Sequence, residues 1–142
     1  SFDEENQEVV AKKYYNFGVA VDVDGEGLVV PVVKGVDMKN VYDIAKEIVD
    51  LADKARKKKL DLQDMRGGTF TITNYGSLGG VFATPIINFP EAAILGIGRI
   101  RENKMPLSLT FDHRILDGAY AVRFLNSMIA YLQKPQELIN IK

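Results

Sequence analysis

Along "YYNFGVAVDV", Phe17, Val19, Val21 and Val23 alternate with Gly18, Ala20, Asp22 and Asp24, the period-two pattern of a half-buried strand. "DGEG" then turns the chain into "LVVPVV", a continuous apolar run suited to a strand covered on both faces. Pro31 inside that run lacks an N–H for a ladder and points to an edge or a bulge. From Val41 the period changes: Ile44, Ala45, Ile48, Leu51, Ala52 and Ala55 recur at three- and four-residue intervals. This predicts an amphipathic helix, capped by Asp37 or Asn40 and ending in "RKKK", whose charge complements the helix C-terminus.

Alternation returns in "GGTFTITNYGSLGG", with Phe70 and Ile72 on one face, Thr69, Thr71 and Thr73 on the other, and a glycine-rich loop beyond. Another apolar strand is expected from about Ala92 to Ile100. In "PLSLTFDH" Leu107, Leu109, Phe111 and His113 fall in phase. Val122, Phe124, Leu125, Met128, Ile129 and Leu132 mark a second long helix, which must close before Pro135. Two long helices with five or six strands predict an α/β fold, a two-layer sandwich of helices on a mixed β-sheet.

The chain has 142 residues, 46% of them hydrophobic, enough for one domain with one core. Its formal charge of −1 offers no basic field for nucleic acid or an anionic membrane surface. No apolar run approaches the roughly 20 residues of a membrane span. The acidic opening "SFDEENQEVV" is no signal peptide and reads as mid-domain sequence, so a preceding segment is expected. Without cysteine, and with a single histidine, the chain has no disulfide framework, thiol nucleophile or Cys/His zinc site, and no metal is expected.

The single histidine draws attention first. His113 ends a strand on the side of three apolar residues, so half its surroundings are expected to be apolar. A desolvated histidine stays neutral near pH 7 and can accept a proton. The same residue can equally be a ring packed at a strand end. Asp117, just before the second helix, is placed either to cap that helix or to hold a cation such as Arg114 and so fix the histidine loop. Thr73, at a strand end, can donate to a developing oxyanion or simply serve as a good strand residue. "NYGSLGG" fits neither the Walker pattern nor GxGxxG opening a helix, and is not read as a phosphate cradle.

"DHRILDG" resembles the His-Arg-x-x-Asp-Gly signature of the dihydrolipoamide acyltransferases of 2-oxo acid dehydrogenase complexes and of the related chloramphenicol acetyltransferases. "DEENQEVVAKKYYNFGVAVDVDGEGLVVPVVKGVDMKNVYDIAKEI", "GGTFTITNYGSLGGVFATPIINFPEAAILGIGRI" and "LSLTFDHRILDGAYAVRFL" resemble successive blocks of that catalytic domain, in order. The resemblance implies a chloramphenicol acetyltransferase-like fold and acyl transfer between dihydrolipoamide and coenzyme A. It implies His113 as general base, Thr73 as oxyanion donor, and Asp117 as a residue that orients the site through a salt bridge. For coenzyme A it implies Asp22, Asn74, Gly98 and Arg99.

By the same resemblance the lipoyl group is carried on a separate domain, which with the other dehydrogenase-complex components would be a partner. The chain itself would form a homotrimer with active sites between subunits. Trimers would join into a larger core through "PQELINIK", in the cytoplasm of a prokaryote or the mitochondrial matrix of a eukaryote. Residues 1–142 are read as one catalytic domain lacking the family's N-terminal part, which supplies the arginine partner of the aspartate, and an internal hairpin segment near 102–106. Two alternatives stay open at this level: a coenzyme A-dependent acetyltransferase acting on a small hydroxyl acceptor, and an inactive truncated assembly core.

Overall fold

The computed structural model describes residues 1–139. Its elements in chain order are β1 (Phe2–Asp3), β2 (Glu8–Val9), β3 (Phe17–Val19), β4 (Val21–Val23), β5 (Gly27–Val29), β6 (Val32–Val33), α1 (Val41–Arg56), β7 (Phe70–Asn74), β8 (Ala93–Ile97), β9 (Leu107–Phe111), α2 (Gly118–Leu132) and α3 (Pro135–Ile139). Five strands form the main sheet in the order β6-β3-β7-β8-β9. The pairs β3/β7 and β7/β8 are parallel, and β6/β3 and β8/β9 antiparallel, which makes the sheet mixed as expected.

The long alternating strand expected from Phe17 to Val23 breaks at Ala20. Its first half lies in the main sheet, and its second half pairs with β5 as a separate ribbon. The return strand breaks at the same level, where Pro31 cannot donate but its carbonyl accepts from Val19 N at 2.9 Å, while Ala20 N donates to Ile72 O at 2.9 Å. Periodicity carries on through such a break because both halves still bury alternate residues: Val21 and Val23 are buried and Asp22 is exposed. The expected strand Ala92–Ile100 shortens to Ala93–Ile97: Gly98 N still donates in register to Pro106 O at 2.9 Å, but Pro106 has no N–H to return, and Arg99 N turns away to donate to Gly80 O at 2.8 Å.

α1 crosses from β6 towards β7, with Asn40 rather than Asp37 as its cap; the Asn40 side chain accepts from Asp43 N at 2.9 Å. Its Ala55 packs with Val21 and Val23 of the β4–β5 ribbon in a small core, and Leu51, one turn earlier, is also buried. α2 lies over the sheet at Phe124, whose ring meets Phe70 edge-on at 6.1 Å. Beside it runs an apolar trough of about 670 Å³, lined by Tyr14, Phe17, Phe70, Leu95, Phe124 and Met128 among others. The segment "PQELINIK", expected at an inter-trimer contact, falls partly on α3 and partly on residues 140–142, outside the described residues.

Candidate active site

Three parallel strands, β3, β7 and β8, point their carboxyl ends the same way. In α/β sheets that end is where loops collect ligands, because the strands stop there and the connections open. Thr73 and Asn74 end β7, and Gly98 and Arg99 follow β8 directly. Asp22 lies on the ribbon that continues β3 past this end, exposed and opposite Leu28. Asn74, Gly98 and Arg99 line one recess of about 310 Å³, together with Ser77 and Met105. Asp22 is not part of its wall.

Close backbone packing shapes this recess. A Cβ on Gly76 would lie 2.5 Å from Gly98 C and 2.6 Å from Arg99 N, so the glycine-rich loop lies directly on the 98–99 backbone. Arg99 N donates to Gly80 O at 2.8 Å, pinning the two together. The Asn74 side-chain oxygen accepts from Ser77 N at 3.3 Å, and Ser77 Oγ donates to Asn74 O at 3.1 Å. The loop's glycines thus serve contact between chain segments. Sequence reading missed Ser77; its signal was a serine three residues after an asparagine that ends a strand.

β9 runs antiparallel to β8, and so carries His113 to the opposite end of the sheet. Thr73 is level with Gly96, and Gly96 with Ser108. From Ser108 to His113 the chain advances five residues, roughly 17 Å at strand rise. A single chain therefore holds the Thr73 hydroxyl and the His113 imidazole far outside hydrogen-bond reach of each other. His113 lies just past the strand in a turn and is exposed, not half-enclosed by apolar side chains as its phase with Leu107 and Leu109 implied. Phe111 retains that relation, its ring 5.6 Å from the imidazole.

The turn after His113 is tied at both ends. Asp112 N donates to Ala92 O at 2.8 Å, and Ile115 N and Leu116 N donate back to Asp112 O. Asp117 caps α2, its carboxylate accepting from Tyr120 N at 2.6 Å. Arg114 pairs with Asp112 and Glu4 rather than with Asp117. Of the two readings left open for Asp117, this chain displays the cap.

The large apolar trough carries none of the seven candidate residues, although Glu91 reaches its wall. Glu91 accepts from Thr71 Oγ1 at 2.6 Å and from Asn88 Nδ2 at 3.3 Å. Burial pushes its carboxyl above the usual carboxylate range; the Thr71 and Asn88 hydrogen bonds and nearby Lys12 pull the other way. Among the described residues no cluster of three His, Cys, Asp or Glu side chains is placed to hold a metal. No described helix is long and apolar enough to cross a membrane.

Residues 1–140 match the family "2-oxoacid dehydrogenases acyltransferase (catalytic domain)". The dihydrolipoyllysine-residue acetyltransferase component of the pyruvate dehydrogenase complex of Bacillus subtilis is 47% identical over 98% of this chain and 34% of its own length. The protein of the same name from Staphylococcus epidermidis is also 47% identical, over 98% and 35%. The chain thus spans about a third of these curated relatives. Among solved structures, the dihydrolipoamide acetyltransferase of Azotobacter vinelandii aligns with a TM-score of 0.89 at 40% identity, covering 98% of this chain and 62% of that one. That structure was determined to examine the role of a serine, a histidine and an asparagine in the enzyme's catalytic mechanism. A truncated catalytic core of the 2-oxoacid dehydrogenase complex of Thermoplasma acidophilum aligns at 0.88 and 47%, covering 94% and 64%.

Proposed function

The chain belongs to the 2-oxoacid dehydrogenase acyltransferase catalytic-domain family, and from that premise we propose that it transfers an acyl group between dihydrolipoamide and coenzyme A. The observation that carries this reading is the division of chemistry between the two ends of the sheet. One end offers a histidine in a fixed turn, and the other a hydroxyl beside a recess lined by Asn74, Gly98 and Arg99. A second copy of the chain brings the two together, His113 from one subunit meeting Thr73 of its neighbour. The spacing supports the assignment: the histidine and asparagine studied in the A. vinelandii enzyme are four positions apart, as are His113 and Asp117.

His113 takes the proton from the attacking thiol. A thiol's pKa of about 8.5 lies roughly two units above that of free imidazole, so proton transfer between these two classes of group is only modestly uphill. The thiolate adds to the thioester carbonyl, forming one C–S bond, and the carbonyl oxygen becomes an oxyanion that accepts the Thr73 hydroxyl. Collapse breaks the original C–S bond, and the departing thiolate recovers the proton from His113. No acyl-enzyme forms. An oxyanion donor of this kind lowers the barrier by on the order of 3 to 4 kcal/mol. Asp22, Asn74, Gly98 and Arg99 bind coenzyme A as substrate, with Arg99 the one cation among the described residues of the recess wall.

We propose further that the chain acts as a homotrimer within a larger core, served by a lipoyl group on a separate domain. Support comes from residues 82–89, which lie in no helix or strand and where Phe82, Ile86 and Phe89 are 77–90% exposed, a display usual on surfaces that another chain covers. The tight turn at Glu102 and Asn103, both at positive φ and closed by the Arg101–Lys104 bridge, supports the reading that this connection is abbreviated.

The test supplies acetyl-CoA with either dihydrolipoamide or a small hydroxyl acceptor and follows the acetylated acceptor by mass spectrometry. The expected result is transfer to dihydrolipoamide, reduced roughly 10²- to 10⁴-fold by His113→Ala. Preference for the hydroxyl acceptor, or equal rates for wild type and variant, contradicts the proposal.

A further inference from the structure

The proposed base protrudes from a turn that an unusual number of groups hold in place, and one side chain joins most of them. Arg114 Nε donates to both oxygens of Asp112, at 3.0 and 3.1 Å, and Nη2 donates to Oδ2 at 2.7 Å. The Arg114 backbone N–H adds a fourth bond to the same carboxylate at 3.0 Å. These bonds close a ring across His113, the residue between the two. Asp112 and Arg114 are therefore locked together on one side of the chain, while on the other the imidazole lies beside Phe111.

The remaining arm of Arg114 reaches a distant part of the sequence. Nη1 donates to Glu4 Oε1 at 2.8 Å, and the guanidinium carbon sits 4.6 Å from the centre of the Phe2 ring. Both partners belong to the β1–β2 hairpin, which forms its own two-stranded sheet. The hairpin presents Glu4 in a fixed place because Asp3 organises its turn: Asp3 Oδ1 accepts from Glu5 N and Asn6 N at 3.0 and 3.1 Å, and Oδ2 from Asn6 Nδ2 at 3.0 Å. A planar fork that binds one carboxylate in bidentate fashion, a second end-on, and an aromatic face from above makes use of what guanidinium offers and ammonium does not.

We propose that Arg114 is a positioning residue, clasping the N-terminal hairpin to the turn that carries His113 and thereby fixing the direction of the imidazole. The proposal rests on the reading of His113 as the base, because that reading gives the direction of the ring its importance. It differs from the salt-bridge role implied for Asp117, which in this chain is occupied with the helix cap.

The single histidine permits a test that needs no turnover. In isotope-labelled full chain, His113 gives the only imidazole cross-peaks. Arg114→Gln and Arg114→Lys should both shift or split those peaks and speed amide exchange of residues 113–116 roughly tenfold or more. Protected amides of β7 and β8 should stay within about twofold of wild type, as local rather than global opening requires. Glu4→Gln, which spares the Asp112 pair, should displace the same ring peaks by less. If Arg114→Gln loses β7 and β8 protection, Glu4→Gln decides.

Ring peaks and 113–116 exchange unchanged in Arg114→Gln, or ring peaks unchanged in Glu4→Gln, overturn the clasp. Full rescue by Arg114→Lys would also overturn it, since a point charge cannot supply the fork. Failure of wild-type acyl transfer would instead strike the functional reading and leave these spectra to stand by themselves.

Discussion

Gly76→Ala places a methyl group where the glycine-rich loop lies on the 98–99 backbone. The new Cβ would stand 2.5 Å from Gly98 C and 2.6 Å from both Gly98 O and Arg99 N, against 3.4 Å or more for ordinary contact. All three neighbours are backbone, so no rotamer relieves the overlap. Gly98 is held by its bond to Pro106 O, and Arg99 by its bond to Gly80 O, so the loop must lift by roughly 1 Å or those bonds must break. Overpacking of this kind costs about 1–3 kcal/mol. In a domain of this length that lowers the melting temperature by roughly 3–10 °C. Because the loop carries Ser77 and braces Asn74, coenzyme A affinity should fall about tenfold or more with it. Circular dichroism melting and titration calorimetry with coenzyme A measure the two effects. Gly118→Ala is the control: nothing lies within 4 Å of its Cβ position at the start of α2, and it should stabilise the fold by about 0.4–1 kcal/mol. A Gly76→Ala chain that melts within 1 °C or so of wild type and binds coenzyme A equally well would refute the packing argument.

Asp117→Ala should cost about 1 kcal/mol in urea unfolding through loss of the α2 cap, whereas Asp117→Asn should lie within a few tenths of wild type, since an amide oxygen caps as well. Glu91 has its folded-state carboxyl raised by burial, so its contribution to stability is complete below the ordinary carboxylate range and is lost as pH rises through the raised value. Asp112, lowered chiefly by its Arg114 hydrogen bond, and Asp3, lowered by its bonds to Asn6, act oppositely: they contribute above the ordinary range and lose that contribution as pH falls through their lowered values. Urea midpoints measured from acid to neutral pH should therefore decline less steeply on the alkaline side for Glu91→Gln than for wild type.

Much of the architecture was legible because burial writes itself into periodicity. The 3.6-residue pattern located α1 and α2 to within a residue or two, and period-two runs located β7 and β9. What stayed hidden depended on contacts between segments far apart in sequence. The break at Ala20 and Pro31 leaves alternation intact while sending each strand into a second sheet, so no local pattern reports it. The exposure of His113 was misjudged for a related reason: phase tells which side a residue shares, but not whether the strand continues far enough to be covered. Thr73, Asn74, Gly98 and Arg99 share the carboxyl end of parallel strands, a proximity set by register rather than by any spacing along the chain. The separation of Thr73 from His113 follows from β9 reversing direction, which the sequence displays only as one more apolar run. Buried Glu91, with Thr71 as its donor, gave no signal beyond a lone acid before an apolar strand.

The central claim is that one catalytic site draws His113 from one copy of the chain and Thr73 from another. Mixing His113→Ala chains with Thr73→Val chains, after dissociation and reassembly, tests it most directly. Each variant alone should be nearly inactive. Random pairing around a head-to-tail ring leaves about one interface in four with both residues intact, so the equimolar mixture should recover about a quarter of the wild-type acyl transfer rate. A mixture that assembles like wild type yet remains as inactive as its two components would contradict the claim.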